Sequence, residues 1–227
     1  MTTYYKNKVT AYIGIACCIG LFYLSLPRFI AAVYMFYPVQ VDKTVTSVRN
    51  ANDLKLYQKS NEHIKSALQW AATGERWQML GTNNIQLFSV VEATLQKPAI
   101  KEIYADMVHS LTISPVNTYV WYRLAFMQKI LNFSIEDQLH SMRLSCYADR
   151  LEINLLIKRI RFFHKHQAFL DPELQDIFKD QIYLASTLRF RALVELIKQQ
   201  PDLFEVVEQV LTYEPERWQK LLRYYQR

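Results

Sequence analysis

Glycine is scarce in these 227 residues, with 4 in all, and proline stands at 7. Turn-rich all-β architectures and nucleotide-binding α/β folds both depend on glycine. The shortage therefore favours helices and argues against a phosphate-cradling loop. No Gly-x-Ser-x-Gly elbow occurs, and no pair of histidines stands four apart with a glutamate beside it. Of the 3 cysteines, Cys17 and Cys18 sit within an apolar run and Cys146 stands alone beyond it, so no disulfide framework supports the rest of the chain. Charged residues are 21% against 51% hydrophobic, which allows a real core and argues against disorder. The net charge of +6 comes without a recognised nucleic-acid-binding motif. It reads as a cation-rich exposed face or, functionally, as attraction to anionic lipid headgroups or acidic polymers, with no nucleic acid expected.

What the chain does have is one long apolar run near its start. Val9 to Leu26 carries no charge, and a helix of that length rises roughly 27 Å, close to the hydrocarbon thickness of a bilayer. Pro27 and Arg28 interrupt it, and Phe29 to Val39 continues it. The reading is one transmembrane helix kinked at Pro27, with Arg28 reaching to the headgroups and tyrosines near both interfaces. The run is too long for a cleaved leader and lacks a convincing small-residue site. Neither Cys17 nor Cys18 has the residues of a lipoprotein signal before it. Lys6, Lys8 and the terminal amine precede the run, whereas Arg28 and Lys43 follow it. The charge rule gives no decisive bias, and the short basic tail favours an inward N-terminus with the bulk of the chain outside the cytoplasm. The organisation expected is a basic tail over 1–8, an anchor over 9–38, a linker over 39–52 and a soluble helical domain over 53–227.

Beyond residue 45 the apolar residues follow helical spacing. Asp53 to Ala72 reads as one amphipathic helix closed by Thr73-Gly74. Glu75 to about Leu95 reads as a second, with a possible break at Gly81-Thr82-Asn83-Asn84, and Pro98 to Ile113 as a third. Ser114-Pro115 offers a capping hydroxyl before a first-turn proline, for a helix to Leu131. Ser134-Ile135-Glu136-Asp137 and Asp171-Pro172-Glu173 repeat such devices, the latter running toward Leu188. Leu151 to Phe169 supplies another long helix, and Pro201 and Pro215 open two short terminal ones. The short loops make consecutive helices antiparallel neighbours.

The fold expected is thus all-α, an N-terminal transmembrane helix followed by a helical-repeat domain of the tetratricopeptide kind. Pro115 is followed six residues later by Trp121, then by Leu124 and Ala125, as at the junction of two such repeats. Further copies are weak, and an irregular helical bundle is the alternative.

From Thr112 onward three runs occur in order: ISPVNTYVWYRLA, SMRLSCYADRLEINLLIKRIRFF and LDPELQDIFKDQIYLA. Together they resemble the C-terminal half of the VpsP-type polysaccharide biosynthesis family. The resemblance covers Thr112 to Leu188, departs from the family at Tyr147-Ala148-Asp149-Arg150, and touches the anchor in placement only. It implies a noncatalytic accessory role in making or exporting an extracellular polysaccharide, at a bacterial inner membrane, through protein partners of an envelope complex. A scaffold for secretion or cell division is the alternative, and an enzyme acting on cell-wall glycans ranks third.

No residue set demands chemistry, so no catalytic residue, cofactor or metal is expected. His164 and His166 point about 200° apart on a helix, too divergent to share an ion. The carboxylates Glu136-Asp137 and Glu214/Glu216 sit at helix starts, where the helix dipole accounts for them. Cys146 reads as a buried thiol. On the helix from Leu151, Ile153, Leu156, Ile160 and Phe163 form an apolar stripe, and Lys158, Arg161 and Lys165 form a cationic stripe on another face. That second stripe is either a solvated surface or a site for an acidic glycan, a lipid headgroup or an acidic partner. Trp121, Tyr122 and Phe126 read as core aromatics more readily than as a stacking platform.

Overall fold

The computed structural model describes the backbone of residues 2–44, 51–88 and 96–226, and the side chains of 12–43, 52–84 and 100–226. The described residues form eleven α-helices, with a single 3-10 turn at Gln167–Phe169 and no strand. One N-terminal helix is long and apolar enough to cross a membrane, and packed helical hairpins follow it. The chain divides into two compact units, Met1–Ser114 and Pro115–Arg227.

The first unit contains α1 (Thr2–Thr44), α2 (Ala51–Trp70), α3 (Gly74–Phe88) and α4 (Gln96–Ile113), each packed on the next. At 1.5 Å per residue α1 is about 64 Å long, roughly twice the thickness of a bilayer's hydrocarbon core. Within its stretch Tyr12–Lys43 an 18-residue window reaches a mean hydropathy of 1.8. Residues 12–25 are exposed on every side, as lipid-facing residues would be, whereas Ala31, Pro38 and Val41 are buried. The covering element is α2, which runs back along α1. Val41 packs with Tyr57, and the Tyr37 ring stacks on His63 at 5.0 Å with Lys59 above it at 5.1 Å. Helical structure thus continues past the apolar run, where the sequence suggested a linker from residue 39.

Two sequence expectations change in this unit. The polar run Gly81-Thr82-Asn83-Asn84 does not break α3, because its amides are spent between helices. Asn83 Nδ2 donates to Ser60 Oγ at 2.9 Å, Asn61 Nδ2 donates to Asn84 Oδ1 at 2.6 Å, and Asn84 Nδ2 reaches Asp106 at 3.4 Å. The expected continuation of this helix to Leu95 lies outside the described residues. Gly74 does not close α2, which ends at Trp70; it opens α3, with the Thr73 hydroxyl accepting from the Arg76 N–H at 3.3 Å. Glycine is required there by close approach. A Cβ at Gly74 would lie 2.5 Å from the Ser114 Cβ, and the Ser110 hydroxyl donates to the Gly74 carbonyl at 2.9 Å.

The second unit contains α5 (Thr118–Ile130), α6 (Ile135–Ala148), α7 (Ile153–Lys165), α8 (Pro172–Leu188), α9 (Phe190–Gln199), α10 (Leu203–Leu211) and α11 (Pro215–Tyr225). Helices α5 and α6 form one hairpin and α7 and α8 the next; α9 and α10 pack on α8, and α11 packs on α9 and α10. The caps expected at Ser134 and Asp171 are present, accepting from Asp137 N at 3.1 Å and Leu174 N at 2.8 Å. Ser114 does not cap α5. Its N–H still bonds Ser110 at the end of α4, Pro115 and Val116 make a turn, and Asn117 caps α5 by accepting from Val120 N at 3.2 Å. Proline disfavours helical geometry in the residue before it, so Ser114 ends one helix instead of opening another. Glu152 caps α7 at Asn154 N, which moves that helix start from Leu151 to Ile153. Asn132 takes φ 61°, and the bonds Asn132 N to Lys129 O and Phe133 N to Gln128 O close α5 in the left-handed C-terminal motif.

One apolar core runs through this unit. Phe163, Phe178, Ile160, Ile182, Leu193 and Val207, from four of the helices, are among its buried members. The helix Phe190–Gln199 contributes Leu193, Val194, Leu196 and Ile197, a stripe the sequence reading passed over.

Candidate functional site: a cation-lined cleft between α5 and α7

The period of α7 sorts its residues into two faces. Leu156, Ile160 and Phe163 are fully buried, while Ile153, assigned to the same stripe from sequence, lies at the exposed first turn. Lys158, Arg161 and Lys165 are exposed and share one side. Together with Ile157, Phe162 and His166 of the same segment they form one wall of a cleft of about 420 Å³, and Tyr122, Phe126 and Lys129 of α5 form the other. This volume lies within the range of small-ligand pockets. Helices α5 and α7 are the first members of successive hairpins, so the cleft follows from the stacking of one hairpin on another.

The floor is aromatic. Tyr122 and Phe126 have ring centroids 4.9 Å apart, Phe126 and Phe162 are 5.7 Å apart, and Phe162 and His166 are 4.8 Å apart. Tyr122 and Phe126 are half-buried against the core, so these rings are structural on one side and cleft wall on the other. Lys158 Nζ lies 6.0 Å from the Tyr122 ring centroid, at the outer range of a cation–π contact. Arg161 Nη2 donates to Gln199 Oε1 at 3.0 Å, which holds the guanidinium at the rim.

The electrostatics are one-signed. Among the described residues none of Lys129, Lys158, Arg161 and Lys165 forms an ion pair with a carboxylate. Arg143 pairs with Asp171 and Glu173, Arg150 with Asp180, and Arg217 with Glu214. The adjacent Lys165 side chain holds the Lys129 ammonium below its usual value, with burial adding to the effect. Burial lowers His166 below the ordinary imidazole value, and the charges of Lys129 and Lys165 push the same way. Burial drives the Tyr122 hydroxyl up to about 12 despite nearby arginines, so it stays protonated. The chemistry on offer is a set of donors around an apolar floor, suited to binding an anion.

Lys129 was not singled out in the sequence. Its signal is Tyr122, Phe126 and Lys129 at four- and three-residue steps on α5, legible only once α5 and α7 are known to be neighbours. Arg159 was missed as well, and it has a different role. It falls on the apolar face of α7 and is fully buried. Its guanidinium donates to the carbonyls of Asp149 at 2.9 Å and Ser145 at 2.6 Å, to Gln181 Oε1 at 3.3 Å, and to the Thr118 hydroxyl. Two of those acceptors are carbonyls at the C-terminal end of α6, where a cation complements the helix dipole. Burial lowers its pKa from the ordinary arginine value. A charged residue at a stripe position, three after Leu156 and four before Phe163, was the available clue.

The residues of the proposed repeat junction lie together. Trp121 Nε1 donates to the Pro115 carbonyl at 2.7 Å, and Leu124 and Ala125 are buried. His164 Nε2 lies 2.9 Å from Asp202 Oδ2 while His166 packs on Phe162, so the two imidazoles serve different neighbours. Among the described residues no group of three or more metal-ligating side chains is gathered. Cys146 is buried and free, its thiol pushed up to about 11 by burial.

A cavity of about 390 Å³ in the first unit brings Glu102 and Asp106 beside Lys65, Trp77 and Leu80. Burial first and then Glu102 raise the Asp106 carboxyl above its usual range, while Lys65 and Asn84 act the other way. This pair, one turn apart on α4, was not noted from sequence. In sequence the chain matches no family model and no curated protein.

Proposed function

We propose that this protein is a noncatalytic, single-pass membrane-anchored accessory of extracellular polysaccharide biosynthesis or export, acting through contacts of its helical hairpins with protein partners. The observation that carries the reading is the pairing of a membrane-length apolar α1 with an unneutralised cationic cleft on the hairpins. The first supplies a tether, the second a recognition surface. The ordered runs from Thr112 to Leu188 that resemble the VpsP-type family supply the process, and with it a bacterial inner membrane. The basic tail before α1 favours a periplasmic body.

Deletion of the gene tests the reading. Surface polysaccharide should fall while cytoplasmic sugar nucleotides persist, and the wild-type chain should restore it. Normal polymer accompanied by a secretion or division defect would move the protein to another envelope complex. A C-terminal reporter active only in the cytoplasm would overturn the orientation.

A second reading rests on Glu102 and Asp106. A carboxyl with a raised pKa beside another acid is the arrangement general acid catalysis uses. Turnover of a cell-wall glycan by the purified chain, abolished by Asp106→Asn, would replace the accessory role with an enzymatic one.

A further inference from the structure

We propose that the cleft between α5 and α7 seats an acidic linear segment of a partner protein, in which carboxylates alternate with bulky apolar side chains. The inference rests on the accessory reading and names the chemistry of the partner it needs. Three features of the cleft lead to it.

The first is charge. Lys129, Lys158, Arg161 and Lys165 converge on one cleft without a carboxylate on its walls. Lys129 and Lys165 stand against each other across it, so an anion between them relieves a repulsion already present in the free protein. Arg161 is held in place by Gln199, which reduces the ordering cost of a charge-assisted contact.

The second is the floor. Phe126, Phe162 and Ile157 offer an apolar surface below the cations, which a simple phosphate or sulfate would leave unfilled. An occupant with both anionic and apolar groups uses the whole site. A saccharide fits less well, because its many hydroxyls require acceptors as well as donors, and beside four cations the walls offer the Tyr122 hydroxyl and the His166 imidazole but no carboxylate or amide side chain.

The third is shape. The cleft is lined from Tyr122 to Lys129 on one wall and from Ile157 to His166 on the other, about 10–14 Å at 1.5 Å per residue. An extended segment of about four residues spans that length, with alternate side chains directed to the floor and to the rim. The single cleft between the two hairpins thereby offers an apolar floor and a cationic rim to a short extended peptide.

The test uses the full chain in detergent micelles and a fluorescein-labelled eight-residue peptide alternating Glu and Leu, read by anisotropy. Saturable binding is expected, weakened at least tenfold by Lys158→Glu, Arg161→Glu and Lys165→Glu combined. Lys129→Glu alone should weaken it several-fold, and replacing the peptide's Leu by Ser should weaken it about tenfold. All four cations are exposed, so circular dichroism should be unchanged; if the triple variant unfolds, the Lys129 variant decides. No saturable binding, or equal binding to the variants, overturns the proposal. So does cleft-dependent binding of oligogalacturonate or phosphatidylglycerol vesicles in place of the peptide. Failure here with a polysaccharide defect in the deletion strain removes only the partner chemistry, whereas normal polymer in that strain removes the accessory reading itself.

Discussion

The two units build helical hairpins by different means. In the second, one apolar core links most of the helices, and a single buried arginine ties the ends of α5 and α6 to α7 and α8. In the first, described apolar positions such as Ile64, Leu80 and Met107 are supplemented by amide ladders between helices and by a glycine that allows α3 and α4 to touch. A central charge with many neutral acceptors concentrates specificity in one residue. Distributed amides and close backbone contact spread it over several. The first arrangement predicts one severe site and the second several moderate ones.

Arg159→Met should have the largest effect. The substitution keeps length and apolar contact but takes the guanidinium donor from the Asp149 carbonyl and Gln181 Oε1, and leaves the Ser145 carbonyl with the Thr118 hydroxyl and the Asp149 N–H, for a loss of about 2–4 kcal/mol. Hydrogen exchange should report the loss over residues 115–227 and spare α2 to α4. Equal loosening of both units would break the comparison.

Gly74→Ala should destabilise the first unit by about 1–3 kcal/mol, since the new methyl meets Ser114 and the packed helices must shift. Exchange protection should fall in α3 and α4. Unchanged protection would mean that this close approach is not required. Asn117→Ala removes the cap of α5 and should cost about 1 kcal/mol in the denaturation midpoint, whereas Ser114→Ala, the residue the sequence favoured as cap, should cost less.

The smallest effect concerns Cys146. Its folded thiol titrates at about 11 against an ordinary 9.0, so the fold binds the extra proton between those values and loses stability as pH rises through that window. At pH 8 the native protein should resist alkylation at Cys146 and become reactive on denaturation. Rapid native labelling there would contradict its burial.

Much of this fold was legible because local chemistry announces helices. Ser134 and Asp171 mark starts through hydroxyl or carboxylate caps, and the uncharged run from Val9 needs no tertiary information to be read. Misreadings arose where a residue's local signal was outbid by a distant partner. Asn83 and Asn84 look like breakers until Ser60, Asn61 and Asp106 engage them. Gly74 looks like a helix end until Ser114 is found against it. For the cleft, Lys158, Arg161 and Lys165 were visible as a stripe on one helix. Lys129, and the aromatic floor it shares with them, needed the neighbouring hairpin, which no periodicity within α7 contains.

The claim on which the account most depends is that α1 holds the helical body at a membrane. Membranes from cells expressing the full chain, washed with alkaline carbonate, test it directly. The account predicts that the protein stays in the pellet and leaves it only with detergent. Recovery in the carbonate supernatant would contradict it.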